Sequence, residues 1–329
     1  MDNKVAVAFA TDHNFYYYTG VALFTLMEHA SEKTQYDIVI LSEALPGSDC
    51  EIFYRLVEGR ENFSLRILDL AETMREINKD KLQLGPYPPS VLYRLFLHEI
   101  LPEYDKILYL DSDIIVRSDV KELFDTDLED FAIGAVIDRS ATKFPLTVTK
   151  LKYYLYFRNT LKLKNSSKYF NSGVLLMDLN KLRHSDFSDQ WRREINSELT
   201  FFMPDQDILN RIFGQKILYL DKTWNFMTKT GDRIDKEKIV HISGIHPWRS
   251  IRKPHADLWW HAAEKTFFAE DMKKYLILHP RRIKYLEEME KSSYEMMEST
   301  CWRMTAVVRL VSDTIKWIKI LFKEIFREK

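Results

Sequence analysis

Asp111 and Asp113 stand one residue apart where the apolar run Leu108-Tyr109-Leu110 ends, and apolar residues resume at once with Ile114-Ile115-Val116. Two carboxylates on either side of a tight bend can converge on one hard cation through oxygen. Held together without a counter-charge they would repel, so the pair itself asks for a positive partner. The spacing alone is common in solvated turns. Its place between two buried-looking runs is what makes Asp111-Ser112-Asp113 a candidate site.

Four other segments carry compatible groups. Asp12 and Asn14 come directly after the apolar run Val5 to Ala10, and they offer acceptors and donors suited to a base edge and ribose hydroxyls. Asp12 or Asn14 would serve equally as an ordinary cap for the helix that follows. Asn171-Ser172-Gly173 precedes another apolar run; the glycine permits close backbone approach and the asparagine supplies an amide. In Pro204-Asp205-Gln206-Asp207 the proline favours a helix start and Asp205 reads as a cap, whereas Gln206 is not explained by capping. His241 ends Ile239-Val240-His241 and is followed by Gly244, His246 and Trp248. A lone histidine there is more often structural than a ligand, so its case rests on company.

The elements that must position these groups are legible in outline. Val5–Ala10, Asp37–Leu41, Leu65–Leu68 and Lys106–Leu110 read as buried strands, separated by helical patterns at Tyr18–Ala30, Ser48–Arg60 and Pro89–Leu101. Such alternation implies a mostly parallel sheet with right-handed crossovers. Further strands are expected at Ala132–Ile137, Gly173–Asp178, Ile217–Leu220 and Ile239–Ile242, and helices at Leu182–Leu199 and Asp205–Phe213. The insert Lys143–Lys168 is rich in aromatics and lysines. It reads either as surface helices packed through Tyr153, Tyr154, Tyr156 and Phe157 or as a lid whose rings stack on sugar.

The 329 residues carry a formal net charge of -1, with 46% hydrophobic and 29% charged residues, so nothing global points to nucleic acid. Two cysteines far apart, Cys50 and Cys301, exclude a disulfide framework and fit a reducing, cytoplasmic setting. The first residues run straight into a strand without the form of a secretory leader. No apolar stretch reaches the roughly 20 residues of a spanning helix.

The five segments, taken in order, resemble the retaining glycosyltransferases of family 8, over about Val5 to Trp260. Tyr93-Arg94-Leu95, Leu108–Asp113, Asn171-Ser172-Gly173 and Asp205-Gln206-Asp207 carry the likeness. The resemblance implies an α/β protein of GT-A type: a nucleotide-binding, mostly parallel sheet flanked by helices, over residues 1–268, with a helical C-terminal extension over 269–329. It further implies that Ala10, Asp12 and Asn14 contact uridine, and that Asp111, Asp113 and His241 bind Mn2+ or Mg2+. By the same likeness Ser112 and Gly244 line the donor site, and Arg94, Asp138, Asn171 and Asp205 surround the donor sugar. Gln206 takes the position nearest the anomeric centre. An amide is a poor nucleophile, which favours a front-face mechanism over a covalent intermediate on Asp205. Where the family has a diphosphate-binding lysine this chain has His246, one residue nearer to His241, with Arg249, Arg252 and Lys253 at hand to replace it. His13 stands where the family often has a second acid.

The expected activity is transfer of a glucose or galactose unit from a UDP-sugar donor to a cell-surface glycan or glycolipid acceptor. The alternatives are a sugar nucleotidyltransferase, which would need a glycine-rich phosphate loop that residues 10–18 lack, and a non-catalytic membrane-associated scaffold. From Trp302 onward, Arg309, Lys316, Lys319, Lys323 and Arg327 share one helical face and Leu310, Trp317, Leu321, Phe322 and Ile325 another. That pattern suits either peripheral binding to an anionic membrane surface or a docked helix.

Overall fold

Val5, Val7 and Phe9 on one side of β1 (Lys4–Ala10) and Ala6 and Ala8 on the other are all shut off from solvent, as an interior parallel strand requires. β2 (Gln35–Ser42) pairs with it in parallel, with Val5 opposite Tyr36 and Ala10 opposite Leu41, and β3 (Phe63–Asp69) pairs with β2. β4 (Lys106–Leu110) then returns to the free side of β1, so that Phe9 lies opposite Leu110. The order β3-β2-β1-β4 reverses direction of travel between β1 and β4, and a crevice opens beyond the carboxyl ends of strands at such a switch point. Ala10 and Asp111 stand at that crevice.

The computed structural model describes residues 4–75, 77, 84, 87–139, 155–228, 232–243, 248 and 255–278. Beyond β4 the seven-stranded sheet continues β7-β6-β8: β6 (Ile133–Ile137), β7 (Phe170–Asp178) and β8 (Leu218–Tyr219). The sheet is mostly parallel, as expected, with one exception: β7 runs antiparallel to both β4 and β6. Its amino end, rather than its carboxyl end, therefore reaches the crevice. A three-stranded sheet, β5 (Ile114–Val116), β10 (Ile239–His241) and β9 (Phe226–Met227), lies alongside, with β10 antiparallel to β5 and parallel to β9.

Helix Tyr16–His29 is buried along most of its surface, because β5, helix Gly47–Val57 and helix Ala256–Glu264 all pack on it. On the opposite face Leu92, Phe96, Leu97, Leu175, Met177 and Trp191 share one core. Each fully buried aliphatic side chain there contributes about 1.5–3 kcal/mol.

Two helices depart from expectation. Pro89–Leu101 is not one α-helix: Pro89–Leu95 winds as a 3-10 helix and only Leu97–Ile100 is α. The tighter winding follows from i to i+3 bonds, Val91 N–H to Pro88 O and Phe96 N–H to Tyr93 O, and Arg94 folds back onto Val91 O at 3.1 Å. Leu182–Leu199 divides into Leu179–Arg183 and Phe187–Ile195. Asp178 caps the first by accepting from Lys181 N–H, and the Ser185 hydroxyl, bonded to Leu182 O and Phe187 N–H, interrupts the run.

Among the described residues no helix is long and apolar enough to cross a membrane. Of the extension expected over 269–329, residues 279–329 lie outside the described residues, as do residues 140–154 of the aromatic insert.

Candidate functional site

The short second sheet is what brings a histidine to the acidic turn. Antiparallel pairing sets Ile114 opposite His241, and Ile242 N–H bonds Asp113 O at 2.9 Å, so the end of β10 is fixed against the Asp111-Ser112-Asp113 bend. His241 Nε2 lies 3.1 Å from Asp113 Oδ1, and ligand atoms of Asp111, Asp113 and His241 all fall within 4.8 Å of one another. Two carboxylates and one imidazole are a donor set that suits manganese or magnesium. Gly173 explains how tightly the three close. A Cβ there would sit 2.5 Å from His241 Cε1 and 2.6 Å from Asp111 Oδ2, so only glycine lets β7 pass beside the cluster. The residues present thus fit a divalent cation.

Ser112 faces the other way and joins the turn to the first strand. Its hydroxyl lies 3.1 Å from Ala10 O and 2.7 Å from the Thr19 hydroxyl, which in turn lies 2.9 Å from that of Thr11. Asp12 accepts from Asn14 N–H at 2.7 Å. The helix itself begins at Tyr16 after an N-cap, Phe15, that makes no side-chain cap bond. Asp12 therefore shapes the turn rather than capping the helix, and Asn14 stays exposed. Burial pushes the Asp12 carboxyl upward, and the N–H groups of Asn14 and Phe15 offset this in part. His13 turns away to Asp49, 2.6 Å from its carboxylate.

On the far side of Asp111 lies Arg94, 4% exposed. Its guanidinium pairs with Asp111 at 2.9 Å and with Asp205 at 3.2 Å, donates to Ser172 O at 2.7 Å, and lies 4.3 Å from the Tyr109 ring centre. Burial opposes its charge, but Asp111 and Asp205 outweigh it and hold the guanidinium well above its ordinary range. The Tyr109 hydroxyl donates to Asp111 at 3.1 Å. The 3-10 winding of Pro89–Leu95 is what aims Arg94 into this space.

Asp205 is not a helix cap. Helix Pro204–Phe213 has Met203 at its N-cap position with no side-chain cap bond, while Asp205 accepts from the Ser172 hydroxyl at 2.7 Å. Burial raises its carboxyl, and Arg94 and Ser172 restrain that rise. Gln206 is held at both ends: Oε1 accepts from Ser172 N–H at 3.1 Å and Asn171 Nδ2 at 2.9 Å, and Nε2 donates to Asp138 at 3.0 Å. Asp138 also accepts from Asn171 at 3.3 Å. Asp138, Asn171, Asp205 and Gln206 are each less than a tenth exposed. Arg94 offsets Asp111 and Asp205, while Asp113 and Asp138 add two further carboxylates nearby; among the described residues Arg94 is the one buried arginine here, a balance that favours a bound cation.

His241 feels two opposed influences. Burial disfavours the imidazolium, but Asp113 and Asp111 overcome it and raise the group above its ordinary value. Of the residues expected at the site, Arg94, Asp111, Asp113, Asp138, Asn171, Asp205, Gln206 and His241 are linked by direct contacts or close ligand atoms, and Ser112 joins Ala10 to them; Asp12 and Asn14 lie in the turn just beyond Ala10, and Gly244 and His246 lie outside the described residues. Sequence reasoning missed Asn225, which bonds His241 Nδ1 at 2.9 Å, and the Asp207 carboxylate, which receives the Tyr156 and Tyr169 hydroxyls at 2.6 Å each. Asn225 sits in Lys222-Thr223-Trp224-Asn225, where no spacing marks it. Asp207 repeats the acid of Asp205 two residues on, a weak signal.

Residues 6–252 match the family described as Glycosyl transferase family 8. The chain belongs to that family. Its relatives include a protein described as a putative glycosyltransferase of Haemophilus influenzae, 25% identical over 72% of this chain and 67% of that protein. A lipopolysaccharide 1,2-glucosyltransferase of Escherichia coli is 25% identical over 67% of this chain and 61% of its own length. Glycosyltransferase GlyF of Streptococcus pneumoniae is 31% identical, but the match spans only 46% of it. The solved galactosyltransferase LgtC, described in complex with donor and acceptor sugar analogues, superposes with a TM-score of 0.64 at 24% identity, over 80% of this chain and 96% of that one. The apo bifunctional glycosyltransferase WbbM gives 0.72 at 22% identity, over 83% of this chain and 52% of that one. The fold is therefore GT-A, and the family 8 glycosyltransferase carries its acidic turn at the switch point of the sheet.

Proposed function

We propose that the chain transfers a hexose, glucose or galactose, from a UDP-sugar to a glycan or glycolipid acceptor with retention of anomeric configuration. The observation that carries this is the convergence of Asp111, Asp113 and His241 around Gly173, directly beside a buried Asp138-Asn171-Gln206 cluster. A divalent ion there, Mn2+ or Mg2+, would act as a Lewis acid toward the departing diphosphate. Asp111, Asp113 and His241 would hold it, and Ala10, Asp12 and Asn14 would receive the uridine.

The protein's own groups set the rest. Arg94, Asp138, Asn171 and Asp205 would orient the sugar. Gln206 offers an amide fixed by Asn171, Ser172 N–H and Asp138, unable to attack carbon but able to lay its dipole against developing positive charge. Asp205, pinned by Arg94 and Ser172, is a poorly placed nucleophile. This supports a front-face reaction, in which the acceptor approaches from the side that UDP leaves and a phosphate oxygen takes its proton.

The test is hydrolysis of a panel of UDP-sugars with Mn2+, repeated with EDTA. We expect one UDP-hexose to be hydrolysed and EDTA to abolish it; turnover of none, or turnover indifferent to EDTA, overturns the reading. A glycosyl-enzyme on Asp205 trapped by mass spectrometry would replace the front-face route. The sequence of the tail from Trp302 supports an acceptor at an anionic membrane surface.

A further inference from the structure

Backbone N–H groups can only donate, and two of them let the polarity of the whole site be read outward. Gly173 N–H lies 2.9 Å from Asn171 Oδ1, and Ser172 N–H lies 3.1 Å from Gln206 Oε1, so both of those atoms are oxygens. The Asn171 nitrogen then faces Gln206 Oε1 and Asp138, which are acceptors, and the Gln206 nitrogen faces Asp138. Every contact agrees. Asn171 Oδ1 is 2.8 Å from the side chain of Asn225, which must therefore present its NH2 there. That leaves Asn225 Oδ1 facing His241 Nδ1 at 2.9 Å. An oxygen without hydrogen requires the proton on Nδ1, and a neutral imidazole has only one. Nε2 is left with its lone pair, aimed into the space beside Asp113.

We infer that Asn225 is a positioning residue: it locks His241 in the tautomer that offers Nε2 to a cation, and it ties that imidazole to the Asn171–Gln206 cluster. The inference rests on the reading of His241 as a metal ligand. Asn225 is fully buried and precedes β9, whose pairing with β10 sets Phe226 opposite Val240, so its backbone cannot drift from His241. Among the described residues no other donor reaches its Oδ1. The competing demand on the imidazole proton comes from Asp113, whose side chain is 13% exposed and can be satisfied by water. A buried amide oxygen has no such alternative, so its demand wins. Outer partners of this kind set ring orientation and ligand basicity in metal sites. Here the same residue also reaches toward Gln206, so loss of the amide would disturb both the ion and the group beside the sugar.

The experiment is nitrogen NMR of histidine-labelled protein, metal-free and at alkaline pH where the imidazole is neutral. Wild type is expected to carry the His241 proton on Nδ1, Asn225→Ala to move it wholly or partly to Nε2, and Asn225→Asp, which keeps an acceptor, to retain Nδ1–H. Calorimetric titration with Mn2+ alone should show Asn225→Ala weakened about 10–100-fold and Asn225→Asp much less. A wild-type proton on Nε2, or an alanine variant unchanged in both tautomer and Mn2+ affinity, overturns the inference. If the alanine variant does not fold, wild type and Asn225→Asp decide it. The tautomer is read without donor or metal, so this result stands apart from whether any UDP-sugar is turned over.

Discussion

Asp138, Asn171, Asp205 and Gln206 are buried and bonded to one another, whereas Asp12, His13 and Asn14, on the same edge of the sheet, are half-buried or exposed and bonded within their own turn or to Asp49. The first group is finished before any ligand arrives. The second leaves groups open for one. Where charge must be stabilised at a reacting centre, prior organisation spares reorganisation during the reaction. Where a nucleotide must bind and leave, open donors and acceptors serve better. On the proposed function, the buried group, at the sugar end, should therefore be costly to alter in stability, and the open group, at the nucleotide end, in affinity alone.

The sharpest way to break that contrast is Arg94→Ala. It strands Asp111 and Asp205 in a buried site and should cost about 3–5 kcal/mol in urea unfolding; a loss near zero would show that the sugar end is not held by this pair. Next is Asp207, whose carboxyl burial raises to about 6 despite bonds from Tyr156 and Tyr169. A raised carboxyl contributes stability that is full below its unfolded value and is lost as pH rises through the folded one. Stability attributable to Asp207 should thus fall between about pH 4 and pH 6, by on the order of 3 kcal/mol, and Asp207→Asn should flatten that part of the pH–stability curve. An unchanged curve would remove Asp207 from the account.

Gly173→Ala forces a Cβ against His241 and Asp111 and should destabilise by about 1–3 kcal/mol while weakening Mn2+ binding in calorimetry. Unaltered Mn2+ affinity would mean the three side chains do not act as one cluster. The smallest effect should come from the open end. Asp12→Ala is expected to weaken UDP binding about tenfold, roughly 1.4 kcal/mol, with the melting temperature nearly unchanged. A large fall in stability there would erase the distinction between the two ends.

The acidic turn and the strand ends were legible because chemistry-bearing residues abut apolar runs, a local property, whereas His241 drew its case from the other segments and the family resemblance. The direction of β7 was not legible. A strand buried on both faces reads the same whether parallel or antiparallel, and only the chain's path decides. Arg94 was legible as a site residue but not its 3-10 setting, since Pro89 permits either winding at a helix start. Asp205 looked like a cap because acids at helix starts usually are, and Arg94, distant in sequence, claims it instead. Asn225 was invisible, because its function comes wholly from the pairing of β9 with β10.

β6 and β7 are antiparallel neighbours, and Ile137 pairs with Phe170. The chain thus leaves the sheet and returns to it at the same rung of one ladder, with Asp138 on the outgoing side and Asn171 on the incoming side. Everything between them is topologically the loop of one hairpin. Its returning half is anchored: Phe157, Leu161, Leu163 and Tyr169 are buried in the main core, and the Tyr156 and Tyr169 hydroxyls bond Asp207. Exchange of that returning half would therefore remove core packing together with a border of the buried Asp138-Asn171-Gln206 cluster, so any graft into the hairpin must keep residues 155–169.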